Sequence, residues 1–232
     1  MRLGLLGDIH GNHHALGVVL AAATSFGVEK LLISGDLVGY YFEPLEVLKL
    51  LEPWSKYLVR GNHEDMLSVA RSNPSFLTKV NARYGSGLHA AIEQLSGFQL
   101  DELCALPHPT EIEIEQYKIL LCHGSPWSIE EYIYPDADKN LLKRCSDTGF
   151  DVIVHGHTHY PAKHVVGKTL IVNPGSVGQP RNRQPGAHWA IFDTKTGVLK
   201  FRCETYDPTQ LMKECAQKNP ELPYLAELLK RT

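Results

Sequence analysis

The residues of this sequence best suited to chemistry lie in six short polar clusters, each directly after a short apolar run. The clusters supply aspartate, histidine and asparagine side chains and no cysteine thiolate. Such oxygen and nitrogen ligands suit divalent manganese, iron, cobalt, nickel or zinc. The candidate ligands are Asp8, His10, Asp36, Asn62, His123, His157 and His159. Seven ligands exceed what one catalytic ion with an open position needs, so they predict two ions bridged by one carboxylate.

The apolar runs predict the elements that position these clusters. They cover residues 3–6, 31–34, 57–60, 119–122, 151–154 and 170–172, and runs this short and rich in Leu, Ile and Val are typical of buried strands. Residues 15–25 and 44–51 between them are predicted helices. Alternating strands and helices predict an α/β sheet, in which ligands gather beyond the carboxyl ends of the strands. The six clusters are therefore expected to converge on one site.

The rest of the chain is predicted to extend the same fold. Residues 75–103 are predicted to be helical with breaks at Gly85, Gly87 and Gly97, and residues 165–172 to form a hairpin around Gly167. Further strands are expected at 111–116, 190–193 and 199–206, and closing helices at 208–215 and 221–230. No repeat, low-complexity tract or linker interrupts the sequence, which predicts a single domain over residues 1–232.

The clusters resemble, in the same order, the motif blocks of the calcineurin-like metallophosphoesterases: D-x-H, G-D, G-N-H-[DE], H and G-H-x-H. The blocks extend from Asp8 to His159. Residues 35–40 and 173–181 also resemble the small prokaryotic, YfcE-like phosphodiesterase branch. The resemblance implies an α/β fold of four layers, an α-β-β-α sandwich of two mixed sheets.

The resemblance further implies a role for each residue. Asp8, His10 and His159 would hold one ion, Asn62, His123 and His157 the other, and Asp36 would bridge them. His63 would protonate the leaving group or stabilise charge on the phosphoryl oxygens, and Glu64 would orient His63. Two ions about 3.5–4 Å apart can activate a shared hydroxide and clamp the oxygens of an in-line displacement. Manganese is the favoured metal for both positions.

Two features outside these blocks bear on the substrate. Arg181 follows a glycine-rich turn and could either bind phosphate or be an ordinary surface arginine. Residues 125–138 carry Trp127, Tyr132 and Tyr134 between two site strands. This segment is either a lid whose aromatic rings stack on a substrate or a packed loop, and the packed loop is favoured.

The function expected from these observations is hydrolysis of phosphodiesters on small or nucleotide substrates. A phosphomonoesterase and a protein phosphatase are the nearest alternatives. The protein phosphatases carry Asp-Arg-Gly after the second block, whereas Leu37-Val38-Gly39-Tyr40 follows here. A non-catalytic scaffold of the same fold is a further alternative, although no ligand of the motif blocks is replaced.

Composition and charge indicate which kinds of partner to expect and in which compartment the protein works. The formal net charge is -3, so there is no basic excess of the kind that binds a nucleic-acid backbone. No stretch reaches the length of a membrane span, and the first apolar run is too short for a signal peptide. The 5 cysteines are scattered without a C-x-x-C pair, which fits a reducing, cytoplasmic setting. The expected partner is a small-molecule phosphoester, and a homo-oligomer is compatible with the sequence.

Overall fold

Ten strands form two five-stranded sheets in the computed structural model, which describes residues 1–232. The strands are β1 (Arg2–Leu6), β2 (Lys30–Ile33), β3 (Lys56–Leu58), β4 (Thr110–Ile114), β5 (Tyr117–Leu121), β6 (Val152–Val154), β7 (Ala162–Val166), β8 (Thr169–Asn173), β9 (Ala187–Asp193) and β10 (Val198–Glu204). The strand orders are β10-β9-β1-β2-β3 and β4-β5-β6-β8-β7. Each sheet combines parallel and antiparallel pairs, so both are mixed.

Nine α-helices and one 3₁₀ turn surround the sheets. They are α1 (His13–Ser25), α2 (Pro44–Leu51), α3 (Asn62–Ala70), α4 (Pro74–Tyr84), α5 (Gly87–Gln94), α6 (Gly97–Cys104), α7 (Lys139–Ser146), α8 (Thr209–Lys218), α9 (Tyr224–Glu227) and a 3₁₀ turn at Leu228–Lys230. Local sequence explains several starts. Asn12 caps α1 by accepting a hydrogen bond from the Ala15 N–H, and α2 and α4 each begin with a proline.

The alternation of side chains along the strands divides the interior into layers. Leu3, Leu5 and Leu32 pack against Ile119 and Val152 of the other sheet, which forms the core between the two sheets. Neighbouring residues along the same strands point to the opposite faces, as strand geometry requires. There the first sheet packs against α1 and α2, and the second packs against α7. This four-layer arrangement confirms the predicted α/β sandwich of two mixed sheets.

The parallel strands bring the polar clusters to one edge of the molecule. β1, β2 and β3 run parallel in the first sheet, and β5, β6 and β8 run parallel in the second. These are the six strands predicted from the apolar runs, and each is followed by a polar cluster. Helix α7 was not predicted, and the last predicted helix is replaced by the short α9 and the 3₁₀ turn. No helix combines the length and the apolar character needed to cross a lipid bilayer.

Candidate metal centre

The loop after β1 and the loop after β6 supply the first group of ligand atoms. His10 Nε2 lies 3.1 Å from His159 Nε2, and His159 Nε2 lies 3.6 Å from Asp8 Oδ1. All three residues are buried. Their ligand atoms lie close enough together to hold one metal ion.

A second group of ligand atoms surrounds His123, which follows β5. His123 Nε2 lies 3.0 Å from Asn62 Oδ1 and 3.1 Å from His157 Nδ1. Asp36 connects the two groups, because its Oδ2 lies 3.5 Å from His123 Nε2 and 3.6 Å from His10 Nε2. The structure therefore brings all seven sequence-predicted ligands together, with Asp36 between the two groups.

The hydrogen bonds of the imidazoles fit these groups to cations. Three histidines place Nδ1 on a backbone carbonyl oxygen: His10 on Val38 at 3.1 Å, His123 on Ser34 at 2.7 Å and His159 on Gln179 at 2.6 Å. A carbonyl only accepts, so each Nδ1 carries the proton and each Nε2 presents a lone pair. The lone pairs of His10 and His159 face each other at 3.1 Å, close to the separation of two nitrogen ligands at right angles on an ion about 2.1 Å away. A bound cation accounts for this arrangement, whereas hydrogen bonding between the bare nitrogens does not.

The backbone at the ligands adopts an uncommon conformation. Five of the ligands have positive φ angles although none is glycine: Asp8 at 53°, His10 at 53°, Asp36 at 54°, His157 at 68° and His159 at 61°. The left-handed region costs about 1–3 kcal/mol for a residue with a side chain and is concentrated at functional sites. The surrounding sheets therefore hold these side chains in place against local backbone preference.

Glycines in and beside the motif blocks leave space for the side chains of the site. A Cβ on Gly61 would overlap the Asp36 carboxylate, and a Cβ on Gly156 would lie 2.6 Å from Ser34 Oγ and 3.0 Å from Asp8 Oδ2. Gly39, with a φ of 89°, packs so closely on His63 that any Cβ there would overlap the imidazole. The glycines at positions 39, 61 and 156 are thus explained by the side chains that they face.

Burial sets the protonation of the site. It lowers the pKa values of His10, His123 and His159 well below the usual range of histidine, so these rings are neutral and free to coordinate. It raises the pKa of Asp8 to about 7, and that of Asp36 well above its usual range. Two carboxylates in such a setting remain ionised when cations lie beside them.

Comparison with known proteins identifies the family of this chain. The sequence profile of the calcineurin-like phosphoesterase superfamily domain matches residues 1–197. The chain belongs to this superfamily. The family predicted from the motif blocks is therefore confirmed, and the chain is a phosphoester hydrolase.

The chain is similar over most of its length to several members of the superfamily. Phosphodiesterase YfcE of Escherichia coli strain K12 is 26% identical over 199 residues, which cover 86% of this chain and 91% of YfcE. This similarity supports the YfcE-like branch. The crystal structure of a metallophosphoesterase from Sphaerobacter thermophilus matches with a TM-score of 0.77 and 27% identity, covering 100% of this chain and 98% of that one. A hypothetical protein from Pyrococcus horikoshii has the same fold, with a TM-score of 0.87 at 23% identity and coverage of 99% and 98%.

His63 lies beside the ligands of this phosphoesterase site. Its ring centroid is 4.7 Å from that of His10, and its backbone N–H donates to Asp36 Oδ1 at 2.9 Å. One ring nitrogen, Nδ1, is buried without a hydrogen-bond partner, and burial lowers the pKa of the ring to about 3. A side-chain nitrogen of His63 also lies within 4.8 Å of ligand atoms of His10 and Asp36, so the imidazole borders the space between the two ligand groups.

The role predicted for Glu64 is wrong. Its carboxylate accepts hydrogen bonds from four backbone N–H groups: Asp36 at 2.9 Å, Leu37 at 2.8 Å, Val38 at 3.2 Å and Gly61 at 2.8 Å. None of its bonds reaches His63. Glu64 is the third residue of α3 and bonds back to the capping Gly61, as in a capping box. It therefore positions the loop that carries Asp36, and the His63 ring is held by the packing of Gly39 and Tyr40.

The mouth of the site is a cavity of about 170 Å³. Its lining combines residues of the motif blocks with residues outside them: Asp36, Tyr40, Asn62, His63, Arg83, Tyr84, Tyr132, His157, His159 and Arg181. Arg181 was predicted as a substrate contact and does line the cavity. Arg83 and Tyr84 were missed, since they lie at the end of α4 and nothing in the sequence distinguishes them from other helical surface residues.

Residues 125–138 form an ordered loop beside this cavity. Ile133 is buried in the core under the second sheet, and Trp127 packs against the Arg144 guanidinium at 3.6 Å. Tyr132 lines the cavity, with its ring centroid 4.1 Å from that of His157 and 5.5 Å from that of Tyr134. The segment thus has the packing expected of a loop, and it places one aromatic ring at the site.

Proposed function

We propose that this chain is a dinuclear, metal-dependent phosphodiesterase that acts on small or nucleotide phosphoesters. The observation that carries the proposal is the position of Asp36, whose Oδ2 lies within 3.6 Å of a nitrogen from each of the two ligand groups. A carboxylate placed in this way suits a bridge between two ions. Manganese is the first candidate among the metals that the ligand set accepts.

Residues of the chain have different roles around the bound phosphoester. When bound, the two divalent ions supply Lewis acidity and lower the pKa of a water that attacks phosphorus. His63 is the residue that meets the leaving group or a phosphoryl oxygen, because its imidazole borders the space between the ligand groups. Arg181 provides a fixed positive charge on the cavity wall, 3.0 Å from the Tyr40 hydroxyl. Glu64 holds the Asp36 loop.

The preference for diesters rests on similarity to a named enzyme. Phosphodiesterase YfcE aligns with 86% of this chain. The chain also departs from the protein phosphatases directly after Asp36, where Leu37 and Gly39 stand in a buried loop. A phosphomonoesterase is the nearest alternative. Its substrates carry one ester-linked group on the phosphate, whereas those of a phosphodiesterase carry two.

The test is hydrolysis of bis-p-nitrophenyl phosphate and p-nitrophenyl phosphate by protein stripped of metal. Manganese, nickel, cobalt, zinc or magnesium is then restored one at a time. Faster turnover of the diester with a restored metal supports the proposal and identifies the working ion. Faster turnover of the monoester indicates a phosphomonoesterase. Folded protein that hydrolyses neither compound with any ion contradicts the proposal and favours a non-catalytic scaffold.

A further inference from the structure

Two arginines on the cavity wall have no carboxylate partner. Arg181 bonds only to the Tyr40 hydroxyl and to Gln179 Oε1, at 3.0 and 3.2 Å. Arg83 lies over the Tyr84 ring, with 5.0 Å between the guanidinium carbon and the ring centroid, and forms no ion pair. Four arginines elsewhere are paired with carboxylates: Arg2 with Asp193, Arg60 with Asp65, Arg71 with Asp101 and Arg202 with Glu204. Both guanidiniums of the cavity are therefore free to pair with an anion.

The two arginines occupy different depths. Arg181 bonds to the hydroxyl of Tyr40, whose ring centroid lies 4.6 Å from that of His10, so this guanidinium is near the ligand groups. Arg83 lies over the Tyr84 ring, whose centroid is 5.5 Å from that of His63. Arg83 is also exposed, whereas Arg181 is half-buried. Arg181 is therefore the inner cation of the cavity and Arg83 the outer one.

The backbone at Arg83 is held in place by the C-terminal part of the chain. The Tyr224 hydroxyl donates to the Arg83 carbonyl oxygen at 2.7 Å, and Asn219 Oδ1 accepts from the Ser86 N–H at 3.0 Å. Leu225 packs close to Gly85 at the end of α4. Tyr224, Leu225 and Asn219 all lie beyond residue 197, where the match to the superfamily profile ends. The position of Arg83 thus depends on a segment outside the shared domain.

We infer that Arg83 forms a second anion subsite, so that the preferred substrate is a phosphoester that carries a further phosphate group on one of its alcohol components. The inference rests on the proposed function. A phosphodiester alone has one negative charge, which the two metal ions and the inner Arg181 would meet without Arg83. A second phosphate, held off the reacting centre, would pair with the outer guanidinium, which suits phosphate through its planar fork of donors.

Binding without turnover tests the inference directly. Calorimetry on the manganese-loaded protein compares thymidine 3′,5′-bisphosphate with thymidine 5′-monophosphate, and adenosine 5′-diphosphate with adenosine 5′-monophosphate. The two pairs present the second phosphate at different distances from the first. We expect the wild-type protein to bind the doubly phosphorylated member of at least one pair about tenfold more tightly, a difference of about 1.4 kcal/mol.

Two variants identify the residue responsible. Arg83→Gln is expected to bring the dissociation constant for the doubly phosphorylated ligand close to that for the monophosphate. Lys79→Gln removes the same charge from an exposed position of the same helix, outside the cavity, and is expected to keep both the preference and the hydrolysis of bis-p-nitrophenyl phosphate.

Three results would overturn the inference: equal affinity of the wild-type protein for both members of each pair, an unchanged preference in Arg83→Gln, or an equal loss in Lys79→Gln. A wild-type protein that keeps the preference but hydrolyses no diester with any metal would contradict the proposed function and leave the subsite standing. The two proposals can therefore fail separately.

Discussion

The Glu64 carboxylate accepts a hydrogen bond from the backbone N–H of Asp36, with 2.9 Å between Oε2 and the nitrogen. The same carboxylate binds the N–H groups of Leu37 and Val38, so it fixes the loop whose first side chain joins the two ligand groups. A buried acid that touches neither the ligand atoms nor His63 thereby sets the position of the bridging carboxylate. Residues of this kind, one contact away from a metal, tune its affinity.

Glu64→Gln is expected to weaken metal binding by about 10–100-fold. The amide group keeps the volume of the side chain but offers one oxygen where the carboxylate offers two, so buried N–H groups of the Asp36 loop lose their acceptor. Each unpaired buried donor costs about 1–3 kcal/mol, and a lower free energy of unfolding is expected as well. Metal content by elemental analysis and chemical denaturation measure the two effects. Glu102→Gln, on the exposed surface of α6, is the matched control and should change neither.

His63→Ala is expected to lower turnover by about 10²–10⁴-fold, the range of a general acid or base. The ligand atoms belong to other residues, so the bound metal should stay close to the wild-type amount. Diester turnover and metal content are measured on the same sample. His89→Ala, at an exposed position of α5, is the control. If His63→Ala loses its metal, the imidazole is a ligand and its catalytic assignment is wrong.

Gly39→Ala is expected to reduce turnover although residue 39 contributes no side chain to the site. The new methyl group would overlap the His63 imidazole, and the φ of 89° disfavours alanine. The ring must therefore move, and metal content should be affected less than turnover. Gly17→Ala is the control, because a Cβ at that position of α1 meets no atom within 4 Å. That control should retain activity and gain up to about 1 kcal/mol of stability from the better helix propensity of alanine. Full activity in Gly39→Ala would show that His63 does not need its present position.

The positions of the ligands could be predicted from the sequence because each one lies in a glycine-containing polar cluster that directly follows an apolar run. The strand before Asp8 and the strand before His123 belong to different sheets, yet both end at the same edge. Parallel strands explain the convergence within each sheet. The packing of the two sheets brings the ligands of both sheets together, as in the group of Asp8, Asp36 and His123. The glycines could be recognised from the motif blocks, but the side chain that each one faces could not.

The residues whose roles were predicted wrongly or missed make contacts that depend on three-dimensional packing. Glu64 directly follows His63, which suggested that it orients the ring, whereas the first turn of α3 directs the carboxylate back to Gly61 and the Asp36 loop. Arg83 lines the cavity, and its backbone is fixed there by a hydrogen bond from Tyr224, 141 residues later in the chain. No local sequence pattern predicts a contact between two residues so far apart in the chain.

Removal of metal is expected to destabilise the fold. Asp8 and Asp36 are buried among neutral imidazoles, and burial raises the pKa values of both carboxyls when no cation is present. A ligand that binds only the folded state stabilises it by about 2.7 kcal/mol at a free concentration of 100 times its dissociation constant. Thermal unfolding with and without a chelator measures the difference, and restoring manganese should reverse it. An unchanged Tm at saturating manganese would argue against metal binding at this buried site.

The proposed function requires two cations that bind side by side, joined by Asp36. The most direct measurement is electron paramagnetic resonance of the metal-stripped protein during titration with manganese. Two equivalents should bind, and the six-line spectrum of an isolated ion should give way to the spectrum of a spin-coupled pair, as expected for ions about 3.5–4 Å apart. Asp36→Ala should abolish the coupling. A six-line spectrum that persists at saturation, with one ion per chain, would contradict the dinuclear account.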